Sequence, residues 1–209
     1  MISNEEEARA FVGARCSPGA LSQLEKFAKR LATENKRQNL VSTSSLDRIW
    51  TRHIADSAQL LDFAPPECGL WFDLGSGAGF PGLVIAIMRP EFPVKLVESR
   101  QLRARWLQHC LDEAHGSNAE VIDRRLQIVP TASASVITAR AFAPLQKLIA
   151  LARRFSTSDT VWLLPKGRSA AQEVAQLSPP VRRLFHVEPS ATGADSGIVV
   201  GRVEEALQP

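Results

Sequence analysis

The chain has 209 residues, 44% of them hydrophobic, with a formal net charge of +3 and three cysteines. That is enough for one sizeable α/β domain with its own core, or a domain with a small appendage. It excludes a disulfide-stapled secreted scaffold, and no apolar run reaches the roughly 18 residues of a membrane span.

The first sixty-odd residues read as helices. Ser3 with Glu6 forms a capping box, in an acidic start (MISNEEEARA) that is neither a secretory signal nor a transit peptide. Ser17 followed by Pro18 is a cap with a preferred first helical residue, and Leu21, Leu24, Phe27, Ala28 and Leu31 then recur at helical spacing. The polar stretch ENKRQNLVSTSS interrupts this helix, and a third begins near Leu46 with Leu46, Ile49, Trp50, Ile54 and Leu61 on one face. FAPPECG breaks it and separates a helical cap (residues 1–65) from a second unit (66–209). After Gly69 the pattern alternates. LWFDL, VKLVES, AEVID, ASVITARAF and TVWLLPKG are strands, with helices over 81–88, 101–114, 144–155 and 169–177. RRLFHVEP and GIVVGRVE close the chain as an antiparallel pair. The expected fold is a doubly wound, mostly parallel seven-stranded sheet, Rossmann-like, behind an N-terminal helical cap.

DLGSGAGFPG, where the first strand hands over to the first helix, is the place where open α/β sheets bind ligands. Its glycines stand at 75, 77, 79 and 82. A dinucleotide fingerprint starting at Gly75 needs a glycine where Phe80 stands, and the match at 77, 79 and 82 starts late and contains Pro81. Charge separates the cofactors. A carboxylate at Asp73 repels a pyrophosphate, whereas S-adenosylmethionine offers an ammonium and a sulfonium. Two opposite unit charges about 4 Å apart attract by about 4 kcal/mol at an effective dielectric of about 20. Glu98, at the end of the second strand, is placed to take the ribose hydroxyls. S-adenosylmethionine is therefore the expected cofactor, in a class I methyltransferase fold. An NAD(P)-dependent oxidoreductase is the alternative that Asp73 argues against.

After the fourth strand, TARAFAPLQ lacks the cysteine that carbon methylation of a pyrimidine uses and the Asp/Asn-Pro-Pro-aromatic loop that grips exocyclic amines. It offers Arg140 and Phe142. A ring nitrogen such as guanine N7 loses no proton on methylation, so alignment alone carries much of the rate. Arg140 can bond a guanine edge, and Phe80 or Phe142 can stack a base. An ordinary strand-end salt bridge for Arg140 and core packing for the phenylalanines stay open.

These motifs resemble the bacterial glucose-inhibited division protein B family, which methylates guanine N7 in 16S ribosomal RNA with adenosylmethionine. DLGSGAGFPGLVIAI with RPE at 89–91 is similar to its cofactor loop. NLVS (39–42), RHIADS (52–57), ITARAF (137–142) and LPKG (164–167) are similar to its other signatures. The resemblance implies cofactor contacts at Gly75, Phe80 and the backbone of Leu126 and Gln127, and places Arg140 beside cofactor and target base. Glu34, Val41, Leu102 and Gln127 depart from the usual family residues.

From Arg100 to Arg154 there are nine basic residues against four acidic ones, which suits a polyanion. The candidate cofactor residues are Asp73, Gly75, Gly77, Phe80, Glu98, Leu126, Gln127 and Arg140, with Arg140 also orienting the acceptor. Arg52, Arg103, Arg124 and Lys166 are candidates for RNA contact, while Leu102, Trp106 and Cys110 face the core. Arg52 and Asp56 can equally form an intrahelical ion pair, and His53 can close over the cofactor or meet a phosphate. No CxxC pair occurs, and His109 and His115 lack ligand spacing, so no metal is expected. The expected protein is a cytoplasmic monomer acting on 16S rRNA or the small-subunit particle. A small-molecule methyltransferase and a noncatalytic RNA-binding module are the rival classes.

Overall fold

A computed structural model describes residues 1–114 and 118–203, which leaves His115 and the Glu204 end of the last predicted strand outside the described residues. One sheet runs in the order β3-β2-β1-β4-β5-β7-β6, with β1 Trp71–Leu74, β2 Val94–Val97, β3 Ala119–Ile122, β4 Val136–Thr138, β5 Val161–Gly167, β6 Phe185–Pro189 and β7 Gly197–Gly201. The first five are parallel, and β6 and β7 close the sheet as an antiparallel pair in which β7 runs antiparallel to β5, as the alternation predicts. β4 is shorter than ASVITARAF suggests. The chain leaves the sheet after Thr138 and Ala141 adopts φ +53°, a left-handed conformation rare for alanine.

Strand side chains alternate between two cores. Trp71, Val94, Leu96, Val136 and Leu163 face one side, where α1 (Glu5–Gly13), α2 (Pro18–Gln38), α5 (Gly82–Met88) and α6 (Gln101–Glu113) pack. Phe72, Leu74, Ile137, Trp162 and Leu164 face the other, against α7 (Leu145–Ala152), α8 (Ala170–Ala175) and α9 (Pro179–Arg182). Residues of α1 and α2 such as Val12, Leu24 and Phe27 belong to the same apolar cluster as Leu83 and Leu96. No helix among the described residues is long and apolar enough to cross a membrane, and no metal-binding group of three or more His, Cys, Asp or Glu occurs among them.

Four local features differ from the sequence expectations. The first cap is Asn4, whose Oδ1 accepts from the Glu7 N–H at 2.8 Å, while Glu7 accepts from Ser3 N and Oγ. The box is shifted by one residue because Asn caps as well as Ser. Helix α2 continues through ENKRQ, since exposed Glu, Lys, Arg and Gln are good helix formers, and stops at Asn39 in the left-handed region. Asn35 then clamps the following turn, donating to Val41 O (3.0 Å) and accepting from Val41 N (2.8 Å). Leu102 is 63% exposed, because the buried arc of α6 runs through Ala104, Leu107, Cys110 and Leu111 and leaves it outside.

The third helix is the largest difference. It breaks into α3 (Thr43–Leu46), a π turn (Trp50–Ile54), α4 (Ala55–Ala58) and a 3-10 turn (Gln59–Asp62). Glu5 accounts for the break: its carboxylate accepts from Trp50 N (2.9 Å) and from Thr51 N (2.8 Å) and Oγ1. At the other end, Gln59 and Asp56 hold the β6–β7 loop. Gln59 Nε2 donates to Ser190 Oγ (3.1 Å), Ala191 N donates to Gln59 Oε1 (2.7 Å) and Thr192 Oγ1 donates to Asp56 Oδ1 (3.0 Å). Hydrogen bonds to a charged acceptor contribute about 1.5–3 kcal/mol each, with overlap among bonds that share a carboxylate. Glu5→Ala is therefore expected to lose about 2–4 kcal/mol and lower Tm by about 5–10 °C. A thermal melt unchanged within a degree would mean that the π turn stands without Glu5.

Candidate active site

The glycine loop and the end of β2 form one wall of a cleft above the β1–β4 switch point. Gly75 (φ +72°) turns the chain off β1, and Gly75 N and Ser76 N both donate to Val97 O, at 2.8 and 3.1 Å. Buried Glu98 accepts from Gly77 N (3.1 Å) through one oxygen and from Arg100 N (2.7 Å) through the other. Each oxygen keeps a second lone pair for a ligand hydroxyl. Gly75, Glu98, Arg103, Arg124, Leu126 and Phe142 line a cavity of about 230 Å³. A glycine-walled floor with a carboxylate at the end of the second strand suits a nucleoside with a free ribose diol. Gly77 stands beside the cavity through Glu98. Gln127 is exposed and does not line it, and the Leu126 carbonyl accepts from Arg154 Nη2 at 2.6 Å.

Two predicted cofactor residues lie behind this wall. Asp73 is fully buried. Its Oδ2 accepts from Gly82 N (3.1 Å) and its Oδ1 from Thr138 Oγ1 (2.8 Å), which in turn accepts from Trp71 Nε1 (3.0 Å). Burial pushes its pKa up to about 6, against the pull of these hydrogen bonds. Asp73 thus anchors the loop and the start of α5 rather than opening to the cavity. Phe80 is buried too, edge-on to Phe27 and stacked on His53 with ring centroids 4.7 Å apart.

Arg140 does not line the glycine-walled cavity but a second one of about 960 Å³, lined among others by Arg52, His53, Asp56, Phe142 and Lys166, and the two cavities share Ala141 and Phe142. Its guanidinium donates to Arg52 O (3.2 Å), pairs with Asp56 Oδ2 (3.4 Å), bonds His53 Nδ1 and lies 5.1 Å from the centroid of Phe80. Asp56 therefore pairs with Arg140 and not with Arg52, whose side chain is exposed at the cavity. Since Arg140 donates to Nδ1, the imidazole carries its proton on Nε2. That atom is buried and has no hydrogen-bond partner among the described residues. Burial, reinforced by Arg140 and Arg52, pulls the His53 pKa down to about 3, so the ring is neutral at pH 7.

Lys166 is not an open cation. Its side chain is 7% exposed, donates to Ala143 O (2.7 Å) and pairs with Glu173 at 2.9 Å. Burial pushes the Glu173 pKa up, but hydrogen bonds from Lys166, Ser169 and Leu145 N outweigh this and hold it below the usual carboxylate range. The pair fixes the loop carrying Phe142, which is 37% exposed, lines both cavities and lies against Gly75. The sequence names Phe142, His53 and Asp56 without settling their roles. Glu5 carries no signal at all, because its partners lie 45 and 46 positions away.

Comparison with known proteins identifies the fold class and the family. The fold is that of the class I S-adenosylmethionine-dependent methyltransferases. A ribosomal protein L11 methylase from Lactobacillus delbrueckii subsp. bulgaricus superposes with a TM-score of 0.59 at 12% identity, over 73% of this chain and 79% of that one. A putative S-adenosylmethionine-dependent methyltransferase from Methanococcus maripaludis gives 0.55 at 12% identity, over 87% and 93%. Within that class, the GidB family model, described as rRNA small subunit methyltransferase G, matches residues 20–187. The ribosomal RNA small subunit methyltransferase G of Erythrobacter litoralis is 54% identical over 202 residues, covering 97% of this chain and 98% of its own. The chain belongs to this family.

Proposed function

We propose that this protein transfers a methyl group from S-adenosylmethionine to N7 of a guanine in small-subunit (16S) ribosomal RNA, as a cytoplasmic monomer. The observation that carries the reading is the junction next to Arg140, at Ala141 and Phe142. The glycine-walled cavity meets a larger, partly basic one there, and the titratable groups closest to the guanidinium are both engaged by it. His53 Nδ1 and Asp56 Oδ2 are each bonded to Arg140, so neither is poised to remove a proton. A ring nitrogen needs none removed. Adenosylmethionine held by Glu98 and the glycine loop would supply an electrophilic methyl carbon to the N7 lone pair, with its thioether as the leaving group that keeps the carbon–sulfur electrons.

In this reading Glu98 accepts from the ribose hydroxyls, and Gly75 and Gly77 let the cofactor approach the backbone. Leu126 packs on the adenine, with Gln127 at the rim. Asp73 and Phe80 support the loop from behind. Arg140 orients the base, and Phe142, between the cavities, stacks on it. Arg52, Arg103 and Arg124 meet phosphates from the two cavity rims, while Lys166 holds the Phe142 loop. Residues 1–65 act as a cap that closes the acceptor side through Arg52, His53 and Asp56.

The test uses methyl-labelled adenosylmethionine with three acceptors: unmethylated small-subunit rRNA, small subunits carrying it, and a mixture of nucleosides and small metabolites. Label is expected on a single rRNA guanine that becomes sensitive to N7-specific cleavage. Label only in a small metabolite, or on another atom of the RNA, would overturn the acceptor, and failure to bind adenosylmethionine would overturn the cofactor.

A further inference from the structure

Helix α2 buries one face, through Leu24, Phe27, Leu31 and Asn35, against the sheet side that also holds α5 and α6. At 3.6 residues per turn, Lys26, Lys29, Arg30, Lys36 and Arg37 fall together on the opposite side. The two acids of the helix do not neutralise this stripe. Glu25 is taken by Arg9, and Glu34 accepts from Gln38 and Arg37. Arg30 pairs with Glu113 of α6. Lys26, Lys29 and Lys36 are exposed, and none has a bonded partner among the described residues.

We propose that this outward face of α2 is a docking surface for the phosphate backbone of the RNA substrate. Its position fits that role. The middle of α2 borders a groove of about 780 Å³ against α6, with Lys26, Lys29 and Arg30 on its lip. Its C-terminal end leads directly into Leu40, Val41 and Ser42, which line the acceptor cavity. Lys26 and Lys36 are about 15 Å apart along the helix axis, a length over which a nucleic-acid strand presents several phosphates. A row of unpaired ammonium groups on the helix that leads to the acceptor cavity is complementary to such a strand. It is also distinct from the arginines at the cofactor rim. Each phosphate neutralised releases condensed counterions, so the contribution is electrostatic and salt-sensitive.

The proposal rests on the RNA reading above, and its test separates the two. In the triple variant Lys26→Gln, Lys29→Gln, Lys36→Gln the helix is preserved, because Gln and Lys have similar helix propensity. Cofactor affinity, kcat and KM for naked rRNA and for small subunits are measured, with RNA binding followed against salt. Cofactor Kd and kcat are expected to stay unchanged, KM for naked RNA to rise about tenfold, and the slope of log Kd against log salt to fall by about 2. Wild-type protein that methylates RNA beside a variant with the same KM and salt slope would overturn the docking surface alone. A defect confined to intact subunits would overturn it too, since the face would then meet ribosomal protein. Wild-type protein that neither binds nor methylates RNA would overturn the functional reading and this proposal together.

Discussion

Arg140→Ala is expected to lower the rate of methyl transfer by at least about 10²-fold while changing cofactor affinity only a few-fold. A reaction that needs no proton removed draws much of its rate from alignment, and misplacement by about 1 Å is enough for a loss of that size. In the proposed reaction Arg140 is the element that fixes alignment. Its guanidinium ties together Arg52 O, His53 Nδ1 and Asp56, which belong to the π turn and α4, at the end of a strand that borders the glycine loop. Removing it leaves Asp56 with Thr192 and Gln59, so the fold survives and Tm falls little. Arg140→Lys should not rescue, since one ammonium cannot reproduce a planar fork with three partners. Single-turnover transfer to rRNA measures the effect, and a rate within threefold of wild type would remove Arg140 from the chemistry.

Gly82→Ala is expected to be the most damaging single-methyl change in the loop. A Cβ at Gly82 would stand 2.4 Å from Leu96 Cδ2 and 2.6 Å from both Cβ and Oδ2 of Asp73, all completely buried. Overpacking costs about 1–3 kcal/mol, and displacing α5 also lengthens the Gly82 N–H bond to Asp73, a charge-assisted bond contributing about 1.5–3 kcal/mol. The sum, about 3–5 kcal/mol, is a large part of the 5–15 kcal/mol typical of a domain. Tm should fall by about 10 °C and cofactor Kd rise at least tenfold, because the loop moves with α5. Gly77→Ala gives the contrast. Its φ of +55° costs alanine about 1–2 kcal/mol, but the nearest atom to a new Cβ lies 3.6 Å away. If calorimetry ranks Gly77→Ala as the worse of the two, the close packing of α5 on Asp73 is not what sets the loop.

What could be read from the sequence divides by the distance over which each signal acts. Strand and helix periods are local, and they place the sheet, the switch-point loop, the Ser17–Pro18 cap and Glu98 at the end of β2. The fate of a charged side chain depends on partners far away in the chain. Asp73 looks open to a cofactor until Thr138 is brought beside it from 65 positions on, and Lys166 looks like a strand-end cation until Ala143 and Glu173 enclose it. Arg52 and Asp56 suggest an intrahelical pair, and only the approach of Arg140 from 84 positions away redirects the acid. The third helix shows the same limit. Its apolar positions repeat correctly, yet Glu5 accepts from its backbone and opens a π turn. The resemblance supplied Leu126 and Gln127 by position, and only Leu126 lines the cavity.

The fastening of Asp56 and Gln59 to the β6–β7 loop also sets a timetable for biosynthesis. Ser190 follows Gln59 by 131 positions. At elongation rates of about 5–20 residues per second, the helical segment carrying His53 and Asp56 waits on the order of ten seconds before the loop that secures it has been made. Until then Asp56 lacks Thr192, Gln59 lacks Ser190 and Ala191, and Ile2 N lacks its acceptor at Ala191 O. A ribosome-bound nascent chain that already contains the glycine loop and Arg140 would therefore hold the Asp56 side of the larger cavity unlatched until the final hairpin is made.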